Sequence, residues 1–425
     1  MPIPLTNLWG THMESAKATA EGAQPRAHPG SLAILFVGLV VVMLGFGMII
    51  PVMPFYVESF GASGRELGLL MATFAATQLL FSPVWGDLSD RIGRRPVLML
   101  GLLGNAVAQL CFGLSTQLWM LFVARALSGI LSSATQPTAL AYISDSTSEE
   151  ERGRGMGLMG AAMGVGMILG PGLGGWLASY RLSLPFFVAA GLSALILVLA
   201  AGILPESLPE ARRSGRTGRL KGLDLRLMAE SLRGPLGYLC FLSFLLSFAL
   251  TNFEGIFGLY ALERYGYGPD QVGLVLTVVG LGSAVVQGLF TGPVTKRWGE
   301  ERVIQGSLLA SATWFVLMLA ASDLATVLAT TSLFVMGNAM LRPGVASLIS
   351  KRAGERQGVA MGMSNSFMSL GRIVGPVWAG SVLDLSLYLP YATGAVLMAV
   401  GFGSTFRGLR ARGGGGGERP VRARW

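Results

Sequence analysis

The chain has 425 residues, 52% of them hydrophobic and only 13% charged, with a mean hydropathy of +0.58. Soluble domains carry about 25% charged residues, so this composition leaves too little polar surface to coat a soluble core and excludes an ordinary soluble globular protein. The net charge of +9 would suit a nucleic-acid partner, but its distribution along the chain assigns it to membrane orientation, and no nucleic-acid partner is expected.

Residues 1–31 are mixed and polar and lack the charged start, short apolar core and small-residue cleavage site of a secretory signal. They read as a disordered tail. Twelve apolar runs follow. Those at 32–56, 66–85, 96–114, 118–141, 156–178 and 184–204 make the first half. Those at 236–260, 271–292, 303–321, 325–348, 357–382 and 386–406 make the second. About 20 helical residues at about 1.5 Å each cross a hydrocarbon layer about 30 Å thick. Lipid offers backbone N–H and C=O groups no partner, so such spans form helices. A β-barrel would alternate apolar and polar residues, and these runs do not.

The expected fold is an all-α polytopic membrane protein. It has twelve transmembrane helices in two six-helix pseudo-repeat bundles, 32–204 and 236–406, joined by a basic linker at 205–235. Within the linker, Leu223 to Leu232 can form a short amphipathic surface helix or serve as a plain tether. The end of the chain, 407–425, is Gly-rich and basic and reads as a second disordered tail. Cys111 and Cys240 fall inside spans and read as small apolar residues, not as a disulfide.

Of the 32 Lys and Arg residues, 18 lie in alternate loops, those at 86–96, 145–155, 205–235, 293–302 and 350–356, and eight more lie in the tails. The opposite loops hold three, Arg65, Arg181 and Arg264. By the positive-inside rule both termini face the cytoplasm of a multi-pass protein, expected in the inner (plasma) membrane. Three arginines, Arg125, Arg342 and Arg372, are left within spans.

The halves echo one another. Gly86, Arg91 and Gly93, after the second span, match Gly292, Arg297 and Gly299, after the eighth. "GPGLGG" at Gly170 to Gly175 matches "GPVWAG" at Gly375 to Gly380. Parallel six-span repeats with a site between them are the plan of a rocking transporter.

Intramembrane charges are functional candidates by default, because each is costly to bury, about 2.5–3.5 kcal/mol on insertion scales. Arg125 cannot carry a proton, since its pKa exceeds about 12, but it can polarise a site. Glu254 sits in the otherwise apolar run "FLLSFALTNFEGIFGLY". There it can load and release a proton or attract a cation, or instead snorkel to the outer headgroups or bond a local hydroxyl. A large apolar pocket with a few polar groups is expected around it. Asn252, Phe253, Phe257, Gln136, Asn338, Met361 and Phe367 are candidate lining residues. The two histidines, His12 and His28, lie in the polar tail. No metal cluster, phosphate loop or nucleophile triad is recognisable, so neither enzyme activity nor a cofactor is expected, and the energy source expected is an ion gradient.

The stretch "GDLSDRIGRRP", Gly86 to Pro96, resembles the loop signature between spans 2 and 3 of the major facilitator superfamily. The resemblance implies a gating latch. Gly86 allows close packing and Asp87 can lie at a neighbouring helix N-terminus or near an arginine. Asp90 and Arg91 can pair across an interface, Gly93 can take a positive φ, and Arg94 and Arg95 fix orientation. The bland alternative is a plain basic turn. "GxxxGPGxGG" in span 5, carried by Gly166, Gly170, Pro171, Gly174 and Gly175, resembles the signature of drug/proton antiporters. Ordinary tight helix packing is the alternative. Arg125 to Ala134 resembles the span 4 motif tied to proton transfer in that branch, and the segment around Glu254 resembles the span 7 acid of quinolone and multidrug efflux pumps.

The branch similarity extends over most of 32–406, including Ile-Pro-Val-Met-Pro at 50–54 and Arg342-Pro343. It departs at Ala339, where some members carry a second acid, and at Arg372, where an uncharged residue is usual. It implies a monomeric, proton-driven exporter of amphipathic or cationic drugs, embedded among membrane lipids. A narrow-specificity metabolite, sugar or siderophore exporter is the alternative within transport. A lipid-handling protein or non-transporting membrane sensor is the alternative outside it.

Overall fold

A computed structural model describes residues 29–213, 228, 230, 232, 236–354 and 357–408. The tail expectations and most of the amphipathic linker segment lie outside these residues. Twelve long helical segments are present in the described chain, six on each side of the linker. In the first half they are α1 (Pro29–Glu58), α2 (Gly64–Ile92), α3 (Arg94–Leu114), α4 (Leu118–Ser146), α5 (Glu149–Tyr180) and α6 (Leu184–Ile203). In the second half they are α7 (Gly237–Tyr265), α8 (Pro269–Trp298), α9 (Glu300–Leu319), α10 (Leu324–Ala353), α11 (Gln357–Leu383) and α12 (Leu389–Gly408).

Eleven are long and apolar enough to cross a membrane on composition alone. The other, α11, has 27 residues, but its apolar run is diluted by Gly, Ser, Asn and Arg372. The protein is an all-helical multi-pass membrane protein. α4 is interrupted by one 3-10 turn, Ser132–Ala134, and α8 by one π-helical turn, Val286–Phe290.

The helix ends follow from local chemistry. Ser63 and Glu66 form a reciprocal capping box at the start of α2. Asp323 accepts from the Thr326 N–H at 2.9 Å at the start of α10. Each half holds its far end together with rings. Phe112 stacks on Phe186 at 5.3 Å, and the Tyr56 hydroxyl donates to the Phe112 carbonyl at 3.0 Å. In the second half Phe315 and Phe334 lie 4.0 Å apart, and Tyr260 and Tyr391 meet edge to face at 4.6 Å.

The repeat is visible in geometry. One offset of 206 residues relates Gly93 to Gly299, Arg94 to Glu300 and Asp145 to Lys351. Both glycines take positive φ, 111° and 77°, and join helices α2 to α3 and α8 to α9. Beside each, an ion pair ties the third helix of the half to the end of the fourth. Arg94 Nε lies 2.9 Å from Asp145 Oδ2 in the first half, and Lys351 bonds Glu300 in the second. The positions correspond and the charges are reversed.

The halves meet along α2 with α11 and α5 with α8. Contact is at backbone distance on the face away from the basic loops. A Cβ on Gly64 would lie 2.9 Å from the Asp384 carboxylate, and one on Gly273 2.5 Å from the Pro171 carbonyl. Gly64 and Arg65 donate their N–H groups to the two Asp384 oxygens at 2.9 and 3.2 Å, so an acid following α11 caps α2 across the seam. Toward the basic face the same four helices part. A Cβ on Gly86, Gly157, Gly160, Gly164, Gly288, Gly292, Gly358 or Gly362 would meet nothing. The arrangement is shut on one face and open on the basic one.

Candidate functional site

Between the halves lies a cavity of about 430 Å³. Its first-half wall comes from α1, α2, α3, α4 and α5, with Phe46, Phe74, Met163 and Met167 supplying apolar surface and Gln78, Asn105, Gln109 and Gln136 polar groups. Its second-half wall comes from α7, α8, α10 and α11, with Glu254, Gln287, Asn338, Arg342 and Arg372. The volume and the mostly apolar lining with sparse polar groups suit a drug-sized organic molecule.

Arg125 is reached by α4 just before its 3-10 turn. It is buried, 3% exposed, and stands over the rings of Phe74 and Phe112 at 5.1 and 5.6 Å. The ring faces offset part of its burial cost. Its Nε and Nη1 have no hydrogen-bond partner. Close by, Asn105 donates to Ser193 at 2.8 Å and accepts from Ser132 at 3.3 Å, a polar thread that anchors the interrupted stretch of α4. Glu254 is half-buried on α7 and is the one carboxylate among the described residues lining the cavity.

Of the candidate lining residues, Gln136, Glu254 and Asn338 do line the cavity, together with the intramembrane Arg125, Arg342 and Arg372. The rest do not. Asn252 is fully buried and donates to the Pro390 carbonyl at 2.8 Å, fastening α7 to α12. Phe253 and Phe257 pack into the ring cluster with Phe334 and Tyr391, on the flank of α7 turned from the cavity. Phe367 is buried with Cys240 and Met363, and Met361 packs against the main apolar core. Apolar residues beside Glu254 in sequence point elsewhere because a helix turns about 100° per residue.

Missed in the sequence were Gln78, Asn105, Gln109 and Gln287. Each is a polar group inside an apolar run, which in lipid is itself the signal. Asp384, which caps α2 across the seam, was missed as well; it lies in a short loop and gives no such signal.

The latch stretch is not a compact turn. Gly86 to Ile92 continue α2 as helix, and the turn is confined to Gly93. Asp87 lies inside that helix, near an arginine, the second of its two expected places, and not at a neighbouring N-terminus. It bonds Arg91 at 2.7 Å, and Asp90 bonds Arg94, each pair four residues apart. Arg94 also reaches Ser89 at 2.8 Å, and Glu206 after α6 accepts the N–H groups of Arg94 and Arg95 at 2.8 and 3.1 Å. These bonds lie within the first half, and the pairing expected between Asp90 and Arg91 across an interface is not among them. The glycines of α5 divide by face. Gly166, Gly170 and Gly174 meet the backbone of α1, whereas Gly172 and Gly175 meet α8 of the other half. Pro171 sits between the two sets.

Comparison with known proteins agrees with this architecture. The family description of the Major Facilitator Superfamily matches residues 35–253 and 239–419. The chain is 33% identical to multidrug resistance protein 2 of Bacillus subtilis over 88% of its own length and 93% of that protein. It is 29% identical to quinolone resistance protein NorA of Staphylococcus aureus over 87% and 92%. The solved nucleoside transporter NupG superposes with a TM-score of 0.73, covering 89% of this chain and all of that one at 16% identity, which speaks to fold alone. With both halves matched and the two-bundle architecture present, the chain belongs to the Major Facilitator Superfamily.

Proposed function

We propose that the protein exports amphipathic drug-like molecules across the plasma membrane in exchange for protons, exposing one central cavity alternately to its two faces. The basic face is cytoplasmic by the positive-inside rule, so the open side of the cavity faces the cell interior. In this arrangement a substrate enters from the cytoplasm or the inner leaflet. Rocking of the halves then separates α2 from α11 and α5 from α8 at the outer face and closes them at the inner one. Similarity to multidrug and quinolone resistance proteins supports efflux as the direction.

The observation that carries the reading is Glu254, the one carboxylate among the described residues in the wall of a cavity between the two halves. Ionised, it attracts a cationic group; protonated, it releases one. A proton arriving from outside therefore expels substrate there, and loss of that proton to the cytoplasm resets the site. Ala339 occupies the place of a second acid, so a single carboxylate carries the exchange. Arg125 polarises the wall and does not itself titrate.

The test is norfloxacin export from everted vesicles, with and without a collapsed pH gradient, for wild type and Glu254→Gln. Gradient-dependent export lost in the variant is the expected result. Export indifferent both to the gradient and to the substitution defeats the proton-exchange reading.

A further inference from the structure

Among the described residues three guanidinium groups line the cavity, Arg125, Arg342 and Arg372, against the one carboxylate of Glu254. Even with Glu254 ionised, the wall therefore keeps an excess of positive charge. Arg125 is partly compensated by its two rings. Arg342 and Arg372 are not. They stand on the touching helices α10 and α11, Arg342 exposed toward the cavity and Arg372 half-buried. Among the described residues neither has an ion-pair partner. Elsewhere the molecule pairs its structural cations: Arg94 with Asp90 and Asp145, Lys351 with Glu300, and Arg352 with Glu301. Two unpaired forks in one partly apolar wall leave it strongly positive, and an anion bound there offsets that charge and satisfies several N–H donors at once.

We propose that Arg342 and Arg372 form a carboxylate site, so that the protein takes amphiphiles carrying a carboxylate in preference to plain lipophilic cations. This rests on reading the cavity as the transport site. It also constrains the substrate further. A purely anionic molecule would bind better when Glu254 is protonated, the wrong sign for exchange against protons. A zwitterion has the right sign. Its cationic end competes with the proton at Glu254 while its carboxylate stays on the arginine pair. The class selected is the zwitterionic amphiphile.

Rhodamine 110 and its methyl ester, rhodamine 123, differ only in whether the carboxylate is free. Binding of each to the purified full-length protein is measured by fluorescence polarisation, and export is then followed in proteoliposomes under a pH gradient. Wild type is expected to favour rhodamine 110 by about tenfold, the size of one charge-assisted hydrogen bond. Arg372→Gln should level the two dyes with rhodamine 123 binding intact, which also certifies the fold. Arg372→Lys should keep most of the preference. Arg342→Gln provides the same comparison if the first variant does not fold. The proposal is overturned if wild type binds the ester as well as the acid, if neither dye binds, or if the Gln variants keep the preference. A preference in binding with no gradient-driven export leaves the carboxylate site standing and defeats the efflux reading. Export that favours rhodamine 123 does the reverse.

Discussion

Gly68 offers the sharpest test of how the shut face works. It lies on α2 against the backbone of α11. A Cβ there would press on the Pro376 carbonyl oxygen and sit 2.8 Å from the Pro376 carbonyl carbon and 3.1 Å from Val377 Cα. Ordinary carbon contacts are about 3.5–4.0 Å. The obstructing atoms are main chain, so no rotamer change can make room and the helices must separate by several tenths of an ångström or more. Overpacking of this kind costs about 1–3 kcal/mol. The cost falls on the arrangement in which the halves touch here and is absent once they part, so Gly68→Ala should shift the equilibrium toward opening of this face by about 5- to 150-fold. Spin labels at Tyr180 and Leu385, 70% and 78% exposed on opposite halves at this face, report the separation. The native cysteines, Cys111 and Cys240, are replaced by alanine for the purpose. A longer-distance population that grows in Gly68→Ala is the expected outcome. An unchanged distance distribution, with transport at the wild-type rate, refutes the reasoning.

Two other substitutions separate roles that the sequence runs together. Phe253→Ala removes the centre of the ring cluster, with Phe257, Phe334 and Tyr391 around it, and should lower stability by about 3–5 kcal/mol while leaving dye affinity in the cavity as it was. A changed affinity at unchanged melting temperature would instead place Phe253 in the cavity wall. Asp323 lies between spans, and the Thr326 backbone N–H holds its carboxyl below the ordinary carboxylate range. Because the folded value is the lower one, the cap contributes in full above the unfolded value of about 3.9 and is lost as pH falls through the folded value. Amide exchange at Thr326 should therefore quicken only on acidification past that range. Asp323→Ala should show the quick exchange at neutral pH, and protection surviving in the variant would assign the turn's order to something other than the cap.

Much of the helix plan was legible because lipid permits so few solutions. Apolar runs of the right length become helices, and the loop charges assign their faces. Individual ends were less legible. The run ending near residue 85 continues as helix to Ile92, because the polar residues that follow bond one another four apart on the same helix and need no turn. Arg125 and Glu254 stood out as charges in apolar surroundings and do line the cavity. Phe253 and Asn252 were drawn in by nearness to Glu254, and one and two residues of helical rotation take them to other flanks. Asp384 had no signal at all. Its place at the start of α2 depends on contact between segments more than 300 residues apart in sequence.

The reversed ion pairs bear on how such a chain assembles. Twelve apolar helices in a bilayer have no hydrophobic reason to choose one neighbour over another, since lipid tails and leucine are equivalent partners. With matching shapes in both halves, α9 could dock beside α4 as readily as beside α10. Charge forbids it: Glu300 would face Asp145, and Arg94, if exchanged the other way, would face Lys351. Opposite polarity at the same two positions thus acts as a sorting code, sending each helix to its own half while the two halves share one shape.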